Sequence, residues 1–355
     1  LPLAAAAAQE SNAGTSAPSA PRRGSRPRPL RRSLNIQRLM GRHGEQYLLV
    51  KLFGVLDGSI ALLSEDDLFP RRFDQAEEIA VVERQLAALR EAASRGDLAT
   101  PQVESLRSAL TALGSRPFWD HMADQVAGAA VELACYDPSL PWELLPAGDE
   151  PLRLVAPTMR KSSRQGAAAK SCRRLLVVID PDEPGAEREA ASIEDAWTGS
   201  TTILDSGSAL AKALRDQSFD VLHIACHQGP SHDGTPALWL ADGKLPVRQL
   251  VDWIHDRPPQ VLFLHGCSTL RASHAGGSGQ HLSFGSLEPL ERSHARALVG
   301  TLWDVSPPDD TLTHTFYAAL ADGAMPAAAM HAARRACATM SAWSAYWPSY
   351  VIVSP

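Results

Sequence analysis

Cysteine is scarce in this chain and its copies do not pair by spacing. The five, at 135, 172, 226, 267 and 337, form no CxxC motif and no even ladder, which excludes a disulfide framework or a structural zinc finger as the organising device. They read as free thiols in a reducing cytoplasm. Long apolar runs are missing as well, since nothing approaches the roughly 18–20 residues that a bilayer-spanning helix needs. The opening LPLAAAAAQE is apolar, yet it lacks the basic stretch and initiator methionine of a signal peptide, and it reads as a cut end. Neither sign of charge dominates: 34 Lys and Arg stand against 40 Asp and Glu, a net charge of -6. That balance gives no push toward nucleic acid or an anionic membrane. No glycine-rich loop follows the apolar run at 175–180, which removes the P-loop and dinucleotide-binding readings. No helical repeat array is visible.

What is present divides the 355 residues into three expected parts. Residues 1–44 are expected to be a tail rich in Arg, Pro and Ser, with six arginines in PRRGSRPRPLRRS, too poor in apolar residues to fold. Residues 45–130 are expected to be an accessory or regulatory segment. It opens with two short strands in EQYLLVKLFGVLDGSIALL and continues into an amphipathic helix over 74–94. Residues 131–355 carry the regular rhythm. Apolar strand-like runs at 175–180, 201–205, 220–225, 260–266, 297–303 and 349–354 alternate with helical patterns at 185–197 and 247–255. That alternation predicts an α/β fold with a mostly parallel sheet covered by helices on both faces.

In such sheets ligands gather outside the carboxyl ends of the strands. His227 follows the strand at 220–225 and Cys267 follows the strand at 260–266, so a right-handed crossover would bring both to one edge. A thiol beside an imidazole can lose its proton and attack an acyl carbonyl. Backbone N–H groups of Gln228, Gly229 and Cys267 could hold the oxyanion that develops. Spacing alone leaves the structural alternative open, with Cys267 a small apolar residue and His227 a polar cap. A zinc site drawn from His223, Cys226, His227, His232, His265 and Cys267 is the rival chemistry. Only His223 and His227 have ligand-like spacing, and on a strand running into a turn that spacing is poor. No metal and no cofactor are expected. Within VLHIACHQGPSHDG, His223 and Cys226 are expected to pack in the core and His232 to sit on an unanchored turn. His265 is the one serious competitor to His227 as base.

Seven short segments strengthen one of these readings. PWELLP (141–146), GAEREA (185–190), DVLHIACHQG, LFLHGCSTL, LVGTLWDV, FYAALADG and the closing WPSYVIVS occur in this order. Through them residues 131–355 resemble the CHAT family, caspase-like cysteine peptidases found in bacteria. The resemblance implies a caspase-like sheet, His227 as general base and acid, Cys267 as nucleophile, and a protein substrate cut through an acyl-enzyme. It also implies a first specificity pocket beside LVGTLWDV, for which Trp303 and Asp304 are the candidate walls, with the substrate strand adding there. Gln228 stands where the family has Gly after the histidine, and His265-Gly266 stands where it has a small or amide residue and then Ala. The expected protein is thus a regulated, cytoplasmic bacterial protease with a protein substrate, and the reading leaves room for an activating protein partner. The alternative is a catalytically degenerate relative that binds peptides or proteins. Residues 271–286, RASHAGGSGQHLSFGS, are expected to form a mobile loop over the cleft.

Overall fold

The computed structural model describes residues 31–40, 46–56, 59–62, 76–95, 100–114, 116–135, 140–161, 172–270, 287–305, 310–340 and 346–354. The segment 271–286 lies outside the described residues. Among the described residues one large sheet dominates. Its N-terminal strands are β1 (Arg31–Met40), β2 (Gln46–Leu56), β3 (Ser59–Leu62) and β4 (Ala130–Cys135). Helices α1 (Ala76–Ser94), α2 (Thr100–Ala112) and α3 (Arg116–Val126) lie between β3 and β4 in sequence. A small hairpin of β5 (Pro146–Ala147) and β6 (Glu150–Pro151), the single turn α4 (Leu152–Val155) and β7 (Thr158–Lys161) follow.

The regular alternation then begins: β8 (Arg174–Ile179), α5 (Ala186–Ala196), β9 (Ser200–Leu204), α6 (Gly207–Asp216) and β10 (Val221–Ala225). A three-stranded ribbon of β11 (Gln228–Pro230), β12 (Pro236–Leu240) and β13 (Gly243–Pro246) interrupts it. The chain resumes with α7 (Val247–Ile254), β14 (Val261–His265), α8 (Leu287–Glu291) and β15 (Ala297–Thr301). It closes with α9 (Asp310–Ala321), α10 (Pro326–Met340), α11 (Tyr346–Ser349) and β16 (Tyr350–Ser354).

The sheet order is β3-β2-β1-β4-β7-β16-β15-β14-β10-β8-β9. Seven of its ten pairings are parallel, the exceptions being β1–β2, β2–β3 and β15–β16. The fold is therefore α/β and mostly parallel. The central strands are buried along their whole length, as for β10 and β14, because helices cover both faces. One face carries α5, α9 and α10, with Ile193, Phe316, Tyr317 and Met330 packed on Val177, Phe263 and Ile352. The other packs Leu210, Leu250 and Ile254, together with the side chains of α1–α3, on Leu176, Leu222 and Leu264.

Two expectations change here. The tail expected through residue 44 gives way to β1 from Arg31, where the alternation Leu34-x-Ile36 outweighs the arginines before it. It pairs with β4 and β2, and β2 with β3, so β1, β2 and β3 extend the main sheet. The strand after Cys267, β15, has no open edge. It is laddered to β14 on one side and to β16 on the other, so a substrate strand cannot add to it over Ala297–Thr301. Among the described residues no helix is long and apolar enough to cross a membrane.

Candidate active site

Strands β10 and β14 are parallel neighbours with Ala225 opposite His265. Two residues beyond that pair stand His227 and Cys267, both at the carboxyl edge of the sheet. They line one cavity of about 20 Å³ together with Glu183, Glu189, His265 and Val305, a space for roughly one water.

The turn that carries Cys267 is held on all sides. Thr301 Oγ1 donates to the Gly266 carbonyl at 2.6 Å, and Thr269 Oγ1 donates to the Leu264 carbonyl at 3.2 Å and accepts from Thr301 N–H at 2.8 Å. The N–H of Ser268 reaches the Trp303 carbonyl at 3.3 Å. Ser268 itself takes φ 53°, a left-handed conformation that costs a non-glycine residue about 1–2 kcal/mol. The surrounding bonds hold it there and turn the Cys267 side chain into the cleft. Gly266 is required by close approach, since a Cβ on it would lie 2.6 Å from the Cys226 carbonyl oxygen. Gly266→Ala is expected to destabilise the protein by about 1–3 kcal/mol through overpacking. The check is a lowered thermal unfolding midpoint with weaker covalent labelling of Cys267.

His227 is exposed and sits at the mouth of the β11–β13 ribbon. Its ring meets Trp239 edge-on at 4.7 Å between centroids, and its carbonyl accepts from the Trp239 N–H at 2.9 Å. Lys244 Nζ lies 4.3 Å over the same indole. Trp239 thus fixes the imidazole from behind. That hydrogen bond also sets the phase of the ladder between β11 and β12, whose register pairs Gly229 with Ala237 and Gln228 with Leu238. In an antiparallel ladder alternate residues face the partner. The N–H of Gly229 therefore points to β12, and that of Gln228 points away from it.

The resting thiol is not activated. Among the described residues His227 and Cys267 share the cavity without a hydrogen bond between them. The sulfur instead donates to the Val305 carbonyl at 3.9 Å. Burial, helped by the Asp304 and Glu183 carboxylates, pushes the Cys267 thiol up to about 11, well above a free cysteine. At neutral pH the group is a neutral thiol.

The remaining expected residues fall out unevenly. Trp303 is fully buried in the core and has no face to offer a substrate, because the apolar run of β15 continues into it. Asp304 is half-buried at the cleft and accepts from Ser268 Oγ at 2.8 Å. His223 is buried, with Nδ1 2.8 Å from the Tyr317 hydroxyl. Cys226 is buried in the core on the face opposite His223, and burial raises its thiol strongly. His232 is exposed in a turn held by Asp233, Ser231 and Thr235. His265 is buried, with Nδ1 2.6 Å from a carboxylate oxygen of Glu189.

A CHAT domain matches residues 138–354, well over half of the chain. The chain belongs to the CHAT family. Two solved structures also resemble it. One is the Saccharomyces cerevisiae separase in a separase–securin complex, 13% identical with a TM-score of 0.43, where the match covers 64% of this chain and 16% of that one. The other is described as a protease, 11% identical with a TM-score of 0.48, covering 71% of this chain and 68% of that one. No curated protein matches the sequence.

The CHAT segment holds functional-looking residues that motif reading left without a role. Glu189, inside GAEREA, is buried beneath the cleft. A sequence signal existed, because Ala186, Glu189, Ala190 and Ile193 form the buried stripe of α5, and a carboxylate on an apolar stripe demands a buried partner. Val305 and Ser268, which hold the sulfur and Asp304, carried no such signal.

Proposed function

We propose that this chain is a caspase-like cysteine endopeptidase that cuts a protein partner through an acyl-enzyme on Cys267. The observation that carries the reading is the placement of His227 and Cys267 two residues past one register pair, lining one cavity. In the reaction His227 takes the thiol proton as the sulfur attacks the scissile carbonyl carbon. The oxyanion is met by the N–H of Cys267 and that of Gln228, while the Gly229 N–H serves the ribbon. The imidazolium then gives its proton to the leaving amine. Water, deprotonated by the same ring, hydrolyses the thioester and restores the thiol.

The resting thiol, bonded to Val305 and held near 11, fits a latent enzyme of the bacterial cytoplasm that waits for a protein partner or for substrate. It equally fits a second reading, a degenerate relative that binds peptides without cutting. Treatment with an electrophilic peptide probe separates the two. Labelling at Cys267 that disappears in His227→Ala supports the peptidase. Labelling that is absent, or indifferent to His227, supports the binding module.

Asp304 is the one candidate pocket wall with a solvent-facing side, and a carboxylate there selects Lys or Arg before the cut. Asp304→Ala is expected to lower kcat/KM for basic substrates by about 10-fold or more, the scale of one lost charge-assisted contact. Neutral substrates should be spared. An equal loss across a peptide library would remove Asp304 from the pocket.

A further inference from the structure

Beneath the cleft, α5, β10 and β14 bring Glu189, His223 and His265 together, with one ligand atom from each lying within 4.8 Å of the others. All three side chains are buried. The Glu189–His265 contact at 2.6 Å is a satisfied hydrogen bond by itself. It does not account for His223, whose Nε2 is buried, has no hydrogen-bond partner among the described residues and lies 3.5 Å from the same carboxylate. In a neutral imidazole only one of the two nitrogens carries a proton. If Nδ1 donates to the Tyr317 hydroxyl, the Nε2 lone pair faces a carboxylate. If Nδ1 accepts instead, Nε2–H is a buried orphan donor. A cation between His223 and Glu189 removes the conflict in the first arrangement, because it takes lone pairs from both.

We propose that Glu189, His223 and His265 form a binding site for one borderline divalent cation of the zinc class. Two imidazoles and a carboxylate suit such an ion, whose bonds of about 2.0–2.2 Å place tetrahedral ligands roughly 3.3–3.5 Å apart. The present separations bracket that spacing, so the rings and the carboxylate need only small shifts. Tyr317 already holds the far nitrogen of His223, the outer contact that orients a metal-bound imidazole. The fourth position opens on the cavity lined by Glu189, His265, Glu183 and Cys267, which supplies a water and a route of entry. The Glu183 carboxylate offsets the charge brought in. On binding, the proton between His265 and Glu189 leaves to solvent. The ion ties α5 to the two central strands, and this proposal stands whether or not Cys267 cuts peptides.

The test uses the full chain, stripped with a chelator and titrated with Co²⁺, then with Zn²⁺ as competitor. One equivalent of Co²⁺ with visible ligand-field absorption, displaced by Zn²⁺ with a rise of several degrees in the unfolding midpoint, is the expected result. His265→Asn and Glu189→Gln each weaken binding by more than about 10-fold, while Cys267→Ala binds as the parent does. X-ray absorption on the Zn²⁺-loaded parent, which needs no variant, shows nitrogen and oxygen neighbours and no sulfur. Substoichiometric uptake, a sulfur neighbour, loss of binding in Cys267→Ala, or unchanged affinity in both other variants overturns the site.

Discussion

Replacing Cys267 or His227 by alanine is expected to lower peptide turnover by on the order of 10⁴-fold or more, the scale seen when a nucleophile or its base is removed. The two losses should not add, because in the proposed mechanism thiol and imidazole act as one unit. Cys226→Ala should remain active, since its sulfur is buried away from the cleft, and His232→Ala should lose little. His265 is the control that matters. It lines the same cavity, and its Nδ1 contact with Glu189 at 2.6 Å leaves Nε2 as its basic nitrogen, so the two alanine variants are what separate it from His227. If His227→Ala still cuts and His265→Ala does not, the base has been misassigned. The resting state adds a pH signature. With the thiol held near 11 by burial, iodoacetamide should modify Cys267 slowly at neutral pH and faster as pH rises toward that value. A substrate-like probe that displaces the Val305 contact should raise the neutral rate.

The second large effect concerns stability. Glu143, in the PWELLP segment, is buried and holds Arg160 through contacts of 2.7 and 2.8 Å, with Arg153 3.8 Å away. Arg334 is buried as well, donating to Thr158 and to the Tyr350 carbonyl. Burial alone would raise the Glu143 carboxyl, but the Arg160 and Arg153 guanidiniums outweigh it and hold the group down to about 2. Glu143→Gln leaves these guanidiniums buried without their counter-charge and is expected to cost about 3–5 kcal/mol. The unfolding midpoint should fall by on the order of 10 °C. The carboxyl is depressed on folding, so its contribution is fully present above the ordinary value of 4.5 and is lost as pH falls through about 2. Acid titration of stability in that window should be steep in the parent and flatter in the variant. A midpoint unchanged by Glu143→Gln would show that the guanidiniums are satisfied by other groups.

The amino-acid sequence by itself determined the α/β class, the succession of central strands and the two residues at their ends. Strands such as VLHIA and VLFLH are apolar throughout because both faces are covered, and that burial is written locally. A side chain just past such a strand must then stand at the sheet edge, which located His227 and Cys267. Only the tertiary structure decided what depends on register and on residues far apart in the chain. It bonded Glu189 to His265, 76 positions away, and brought it within 3.5 Å of His223. It inserted β16 against β15 and so closed the edge offered to substrate, and it sealed Trp303 while leaving Asp304 at the cleft. It also set the thiol against Val305 rather than His227. Local patterns report which face is buried. Which charge meets which, and how far a thiol is desolvated, follows from strand order and from the packing of helices onto the sheet, which no short segment contains.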